Sequence, residues 1–263
     1  MFDNNIAPNI ETYNTLIDMY CKEGNVNEAR AIFELMIKRG VNPNVITYNA
    51  LLDGYCLRGE MAKPKNLMDV IVKDGIVPDI VTFNSLINGY YALCKENKFQ
   101  PAFQQFEEMK DQRVAPDEVT YNSLLDGLLK NAEIDTAISL RREMDNNGVA
   151  PDIFTYSIII NGLCEAGQGK LGDATKLLKR MEDTGCSPDE CTYNTIIKGF
   201  LNANDVAKNL DFLHIMGAEG FIADATTASL FMGLLIDPNV SDTDKALLQK
   251  YLRECNGKLV FSI

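Results

Sequence analysis

The chain has 263 residues, 46% of them hydrophobic, enough to build a sizeable core in one large or two ordinary domains. Its formal net charge of −12 argues against holding a polyanion by charge alone, a mode that draws its affinity from neutralised phosphates and released counterions. No run of eighteen apolar residues occurs, which excludes a membrane-spanning helix and leaves no reason to expect a membrane partner.

Helical sequence begins almost at Met1, with neither a basic-then-apolar leader nor an Arg/Ser-rich, acid-poor one, so no targeting peptide is expected in this chain. Residues 1–9 are similar to residues 144–152 and read as the tail of a truncated repeat. The string Pro8-Asn9-Ile10-Glu11-Thr12-Tyr13-Asn14 then returns, varied, at Pro43–Asn49, Pro78–Asn84, Pro116–Asn122, Pro151–Ser157 and Pro188–Asn194. Units beginning two residues after each proline run 10–44, 45–79, 80–117, 118–152, 153–189 and 190–224. Four are 35 residues long; the third carries three extra residues near Tyr91–Leu93 and the fifth two near Gln168–Gly169. Both insertions are expected where one helix gives way to the next, because lengthening a turn costs little.

Within the first unit Tyr13, Leu16, Ile17, Tyr20 and Cys21 mark one helical face. A turn at Gly24-Asn25 separates it from a second stripe, Ala29, Ile32, Phe33 and Met36, which ends at Arg39-Gly40 as a cation and a C′ glycine end a helix. The recurring threonines Thr12, Thr47, Thr82, Thr120, Thr155 and Thr192 are expected to cap the first helix of each unit. Pro64 and Pro101 fall near the start of second helices, where proline is tolerated. Each unit is thus an antiparallel helix pair, and stacking is needed to bury its stripe. After Asp224, residues 225–236 read as one more first helix; Pro238-Asn239 breaks it, and 242–254 reads as a polar amphipathic helix that closes the stack. Residues 225–263 are therefore a partial repeat with C-terminal capping helices, and the fold class is all-α, a right-handed α-solenoid of stacked antiparallel helix pairs.

Cys21, Cys56 and Cys164 stand twelfth in their units and Cys94 three residues later in the lengthened third, all inside apolar stretches, and they read as buried reduced thiols. There is no Cys-x-x-Cys, and His214 is the only histidine, so neither a metal site nor any cofactor is expected.

The head Val-Thr-Tyr-Asn-x-Leu-Ile-x-Gly-Tyr/Leu-Cys and the tail Met-x-x-x-Gly-Val-x-Pro-Asp resemble the pentatricopeptide repeat, six times over residues 10–224. The units are similar to its plain P-type class, and Asp224–Leu235 resembles the end of plant restorer-of-fertility-like members. The competing array, the tetratricopeptide repeat, binds peptides, has a period of about 34 and opens on tryptophan; this chain contains no tryptophan.

Two polar positions recur. The fifth residue of each unit is Asn14, Asn49, Asn84, Asn122, Ser157 and Asn194, and the last is Asn44, Asp79, Asp117, Asp152, Asp189 and Asp224. An aspartate just ahead of a helix is explained by the helix dipole. Asparagine, a mediocre helix former, has no such local explanation, whereas amide and carboxylate edges can pair with an unstacked base. The resemblance implies that each such pair selects one base of single-stranded RNA. Asn with Asp goes with uracil, Asn with Asn with cytosine or uracil, and Ser with Asp with guanine, giving the pyrimidine-rich site 5′-(C/U)UUUGU-3′ along a concave side. It also implies base packing by Ile46, Val81, Val119 and Phe154, and phosphate contact by Lys22, Lys95 and Lys130. Glu11 and Cys191 depart from the packing pattern, and Leu57, Glu165 and Asn202 stand where lysine is expected.

No catalytic residues are read: the carboxylates are scattered on polar helix faces, and a single histidine cannot complete a deaminase signature. The expectation is a passive RNA binder in a mitochondrion or plastid, acting beside a separate processing enzyme and without a small-molecule substrate. The alternative is a helical-repeat scaffold that binds peptides or proteins.

Overall fold

Pro8, Pro43, Pro78, Pro116, Pro151 and Pro188 each stand two residues ahead of a helix. The computed structural model describes residues 7–60, 62–93, 100–236, 238 and 240–254, and all regular structure among them is α-helical. In chain order the helices are α1 (Ile10–Lys22), α2 (Val26–Lys38), α3 (Val45–Leu57), α4 (Ala62–Lys73), α5 (Ile80–Leu93), α6 (Gln100–Asp111) and α7 (Glu118–Lys130). They continue as α8 (Ile134–Asn146), α9 (Ile153–Glu165), α10 (Gln168–Asp183), α11 (Glu190–Asn202), α12 (Val206–Ala218), α13 (Ala225–Ile236) and α14 (Asp242–Glu254). The last two agree with the helices read from sequence at 225–236 and 242–254.

Two compact units divide within α7, Met1–Gly127 and Leu128–Ile263. In the first, α1 packs on α2 and α3, α3 on α4 and α5, and α5 on α6. In the second, α9 packs on α8, α10 and α11, α11 on α12 and α13, and α14 on α12 and α13. First helices therefore lie beside first helices, each with its own second helix at its back.

The apolar stripes bury as their spacing requires. Tyr13, Ile17, Cys21, Ala29 and Met36 are buried, while Leu16, Tyr20, Ile32 and Phe33 are half-buried at the seam. Burying a side chain such as Ile17 or Phe83 fully contributes about 1.5–3 kcal/mol, whereas an Asn or Thr in a helix costs only tenths of a kcal/mol. Packing, not propensity, holds these helices. Asn209 is an exception within the stripe of α12: it is fully buried, in the place that Ala29 and Ala137 hold in α2 and α8, and neither amide atom has a hydrogen-bond partner among the described residues.

The closest approach between first helices is made at glycine. A Cβ on Gly54 would lie 2.5 Å from the Cys21 Sγ, one on Gly162 2.6 Å from Leu129 Cβ, and one on Gly199 2.8 Å from Cys164 Cβ. The cysteine thus fills a notch on the following helix. Burial pushes the Cys21 thiol up to about 11 and those of Cys56 and Cys164 up to about 12, as expected of free thiols acting as small hydrophobes. Cys94 lies outside the described residues.

Second helices end as Arg39-Gly40 predicts. Gly40 has φ +76, its N–H donates to Ile37 O at 2.9 Å, and the Val41 N–H donates to Met36 O at 3.1 Å, a Schellman closure. The fifth-repeat insertion is placed differently from the sequence reading. Gly167, at φ +87, makes the turn, and the extra residues extend α10 to 16 residues, an added helical turn ahead of its first buried residue, Leu171. The N–H to C=O ladder gives those residues partners that a longer loop would lack. In the third repeat, Tyr91–Leu93 likewise continue α5 instead of forming a turn; residues 94–99 lie outside the described residues.

The notch yields a test of opposite signs. Gly199→Ala must displace Cys164 and Leu171, and is expected to cost about 1–3 kcal/mol by overpacking. Gly172→Ala, in α10 with nothing within 4 Å of its new Cβ, is expected to gain up to about 1 kcal/mol. Urea midpoints of the two variants that move in the same direction refute the notch.

Candidate functional site

The candidate base-reading residues stand at the junction between consecutive first helices. The α3 N-cap is Asn44, whose Oδ1 accepts the Thr47 N–H at 3.1 Å while the Asn44 N–H donates to Thr47 Oγ1 at 3.1 Å. Asp79 and Thr82 repeat the pattern at 2.9 and 3.1 Å, and Asp117 and Thr120 at 2.9 and 3.3 Å. Asp152 and Asp189 cap α9 and α11, accepting from Thr155 N and Thr192 N at 2.8 Å each. The caps are therefore the residues that end the preceding repeat. The threonines, expected to cap from sequence, sit three residues inside the helix. The reason is geometric: the cap oxygen must reach back to the N–H of the third helical residue, and Thr is that residue.

In the first unit the hydroxyls of Thr47, Thr82 and Thr120 then tie one repeat to the next. Thr47 Oγ1 donates to Asn14 Oδ1 at 2.6 Å, Thr82 Oγ1 to Asn49 Oδ1 at 2.7 Å, and Thr120 Oγ1 to Asn84 Oδ1 at 2.7 Å. The asparagine amides answer across the same junction: Asn14 Nδ2 donates to Asn44 Oδ1 at 3.3 Å, Asn49 Nδ2 to Asp79 Oδ1 at 3.1 Å, and Asn84 Nδ2 to Asp117 Oδ1 at 3.3 Å. Sequence alone assigns the asparagines no structural duty; they have one, as inter-repeat bridges. It escaped the sequence reading because their partners lie 30 to 36 residues away.

These bonds do not exhaust the pair. At Asn49 and Asp79 they use Asn49 Oδ1, one Asn49 amide hydrogen and Asp79 Oδ1. The second amide hydrogen takes no protein partner among the described residues and Asp79 Oδ2 no side-chain partner, although the Val81 N–H also faces the carboxylate; this leaves one donor beside one acceptor with lone pairs to spare. At Asn14 and Asn44 the second cap group is an amide, so what is left are donors. Burial pushes the Asp79 carboxyl up, but the hydrogen bonds from Thr82 and Asn49 outweigh it and hold it below its ordinary value.

In the second unit the pairs differ. Ser157 Oγ lies 3.4 Å from Thr192 Oγ1, and no hydrogen bond joins it to Asp189 among the described residues. Asn194, 3% exposed, donates to Glu190 O at 2.9 Å and Ile222 O at 3.4 Å, and accepts from Asp224 N at 3.0 Å and Thr227 Oγ1 at 2.8 Å. Asp224 accepts from Lys198 Nζ at 2.7 Å. Asn122 is half-buried on α7.

A family model, the PPR repeat family, matches residues 8–57, 43–92, 78–130, 116–165 and 166–202. The chain belongs to the PPR repeat family. Among solved structures it is similar to the pentatricopeptide repeat protein PPR10 from maize, with TM-score 0.65 and 21% identity over 100% of this chain and 41% of that one. It is also similar to PPR10 in complex with an 18-nt psaJ RNA element, at TM-score 0.61 and 19% identity over 95% of this chain and 39% of that one. A third is the PPR domain of Arabidopsis thaliana protein-only RNase P 1 in complex with tRNA, at 0.58 and 17% over 69% and 93%. Likeness at these identities is one of fold, and the chain spans 41% of the maize structure's length. Comparison with curated proteins finds no match.

Around the PPR pairs, the second residue of the repeat is consistently outside the core. Ile46 is 59% exposed, Val81 and Val119 49% each, and Phe154 69%. Glu11 and Cys191 are exposed at the same place. Of the lysines, Lys22 is exposed but paired with Asp18 at 2.8 Å, Lys130 is exposed at the end of α7, and Lys95 lies outside the described residues. Asp18 also stands near Asp53, whose carboxyl is held above its usual value by burial and by that neighbouring charge. The wall beside the pairs is acidic where a basic one would hold phosphates.

Asp79 gives the junction a pH signature. A carboxylate whose folded-state value is depressed contributes stability that is fully present above its unfolded value, 3.8, and is lost as pH falls below it. Asp79→Asn keeps an acceptor at the cap, as Asn44 does at α3, but removes the titration. The stability advantage of wild type over this variant is expected to shrink as pH falls below 3.8 in thermal melts. An advantage that does not change with pH refutes the assignment.

Proposed function

We propose that this PPR chain binds single-stranded RNA with base selectivity, one base per repeat, and that it acts by occupying its site, without chemistry of its own. The observation that carries the reading is the leftover valence of the bridged pairs: a donor beside an acceptor at Asn49/Asp79 suits the imino N–H and neighbouring carbonyl of uracil. Donors alone at Asn14/Asn44 suit an edge with adjacent acceptors, such as cytosine. The bridges hold these groups in place before RNA arrives, so little side-chain freedom remains to be lost on binding. Exposed Ile46, Val81, Val119 and Phe154 offer apolar and aromatic surface for base faces. The RNA complexes of the maize PPR10 and RNase P relatives support the same class of ligand.

Taken repeat by repeat, the family rule gives 5′-(C/U)UUUGU-3′. Lys22 and Lys130 are assigned to phosphate, with Lys95 as a third, and Lys22 must leave Asp18 to serve. With a net charge of −12, affinity rests on base contacts, and the dependence on salt is correspondingly shallow. By family resemblance the site of action is a plant organelle, where the bound transcript is protected or handed to a separate processing enzyme.

In fluorescence anisotropy at moderate salt, 5′-CUUUGU-3′ in neutral flanks is expected to bind at least about tenfold more tightly than a poly-A strand of equal length. Equal, weak binding of both refutes base reading and leaves the protein-binding scaffold. Exchanging one pair, Asn49→Thr with Asp79→Asn, is expected to turn the preference at the second base from uracil to adenine by about fivefold or more. A preference that stays on uracil shows that this pair does not read that base.

A further inference from the structure

We infer that Lys198 is a specificity-determining residue that silences the sixth repeat, so that the array selects five bases and accepts any nucleotide at the sixth place. This rests on the one-base-per-repeat reading of the Asn/Asp pairs and departs from the uracil that the family rule assigns there.

The valence count at Asn194 carries the argument. An asparagine side chain offers two amide hydrogens and two carbonyl lone pairs. In Asn194 the hydrogens go to the carbonyls of Glu190 and Ile222, and the lone pairs accept the Asp224 N–H and the Thr227 hydroxyl. Nothing is left for a base. Its partner is engaged as well: Asp224 Oδ1 accepts the Thr227 N–H at 2.7 Å, and Oδ2 accepts Lys198 Nζ at 2.7 Å. Asn49, in contrast, keeps an amide hydrogen, and Asp79 keeps Oδ2.

The difference traces to one residue. The ninth residue of the six repeats is Asp18, Asp53, Asn88, Asp126, Asn161 and Lys198, so a cation stands there only in the sixth. An ammonium–carboxylate hydrogen bond is roughly twice as strong as one from a neutral amide. Lys198 therefore occupies Asp224 Oδ2, the oxygen whose counterpart stays open at Asp79, whereas Asn49 and Asn84 bond Oδ1 of the caps in their own repeats. The Asn194 amide makes no bond to the Asp224 carboxylate among the described residues and goes to backbone carbonyls instead. Burial pushes the Asp224 carboxyl up, but the Lys198 and Thr227 bonds outweigh it and hold it low. The clasp accordingly persists at neutral and mildly acidic pH.

The test uses the full chain, as wild type and as Lys198→Asn, the residue type found at 88 and 161. Each is titrated by anisotropy with four RNAs 5′-CUUUGN-3′, and with 5′-CNUUGU-3′ as the reference for base reading elsewhere in the array. Wild type is expected to bind the four sixth-base RNAs within about twofold of one another, and Lys198→Asn to favour uracil by about fivefold or more. Second-base selectivity should be the same in both. Lys198→Gln, which also removes the charge, guards against a local disturbance of α11 peculiar to asparagine. A wild type that already selects one sixth base by about fivefold overturns the inference. So do two neutral variants that keep second-base selectivity and gain none at the sixth. If wild type shows no second-base selectivity, base reading itself fails and takes this inference with it; retained second-base selectivity confines a failure to Lys198.

Discussion

The hydrogen bond from a threonine hydroxyl to the asparagine of the preceding repeat is the contact on which the rest of this molecule depends. Thr82 illustrates its economy: one residue closes the helix cap with Asp79 and fixes Asn49 on the neighbouring helix. Within the first unit an asparagine, a cap residue (Asn44, Asp79 or Asp117) and a threonine meet at each junction, so the groups that hold the stack together are also the groups proposed to read bases. A polar network satisfied on the protein side is rigid, and rigid polar edges are what discrimination between bases requires. Stability and selectivity are thereby coupled through the same side chains.

Charge works in the opposite sense to that of most nucleic-acid binders. Asp18 neutralises Lys22, and Asp53 lies nearby with its carboxyl raised. A surface of this kind penalises a phosphate backbone that is not correctly seated, because a misplaced strand meets carboxylates without the compensating base contacts. On the proposed function, the acidic balance suppresses non-specific binding at a cost in affinity.

The helical plan was legible because its determinants are local. Apolar spacing, the proline two residues ahead of each first helix, and Gly40 at a helix end all act within a few residues, and α13 and α14 were read to their termini. What escaped depends on partners a repeat away or on detailed geometry. Thr47 and Thr82 recur where a cap is expected, but a sequence shows that a capping residue is present more readily than which of two neighbours bends out of the helix. The asparagine bridges span a repeat junction and leave no periodic trace beyond the asparagines themselves. The Gln168–Gly169 insertion is expected in the turn because lengthening a turn costs little, yet it extends α10. Lys198 was visible as the odd member of its column, but only the saturated amide of Asn194 gives that oddity a meaning.

The notch at Gly54, Gly162 and Gly199 has a metrical consequence. At these three places, the distance between neighbouring first helices is set by a cysteine or leucine seated where no side chain stands. On the proposed reading of one base per repeat, that distance is also the pitch at which successive nucleotides must be offered. A methyl group added in the notch would lengthen the step, and the mismatch between ruler and strand would accumulate with each base read. Residues that never approach RNA would in this way set how many consecutive bases it can present in register.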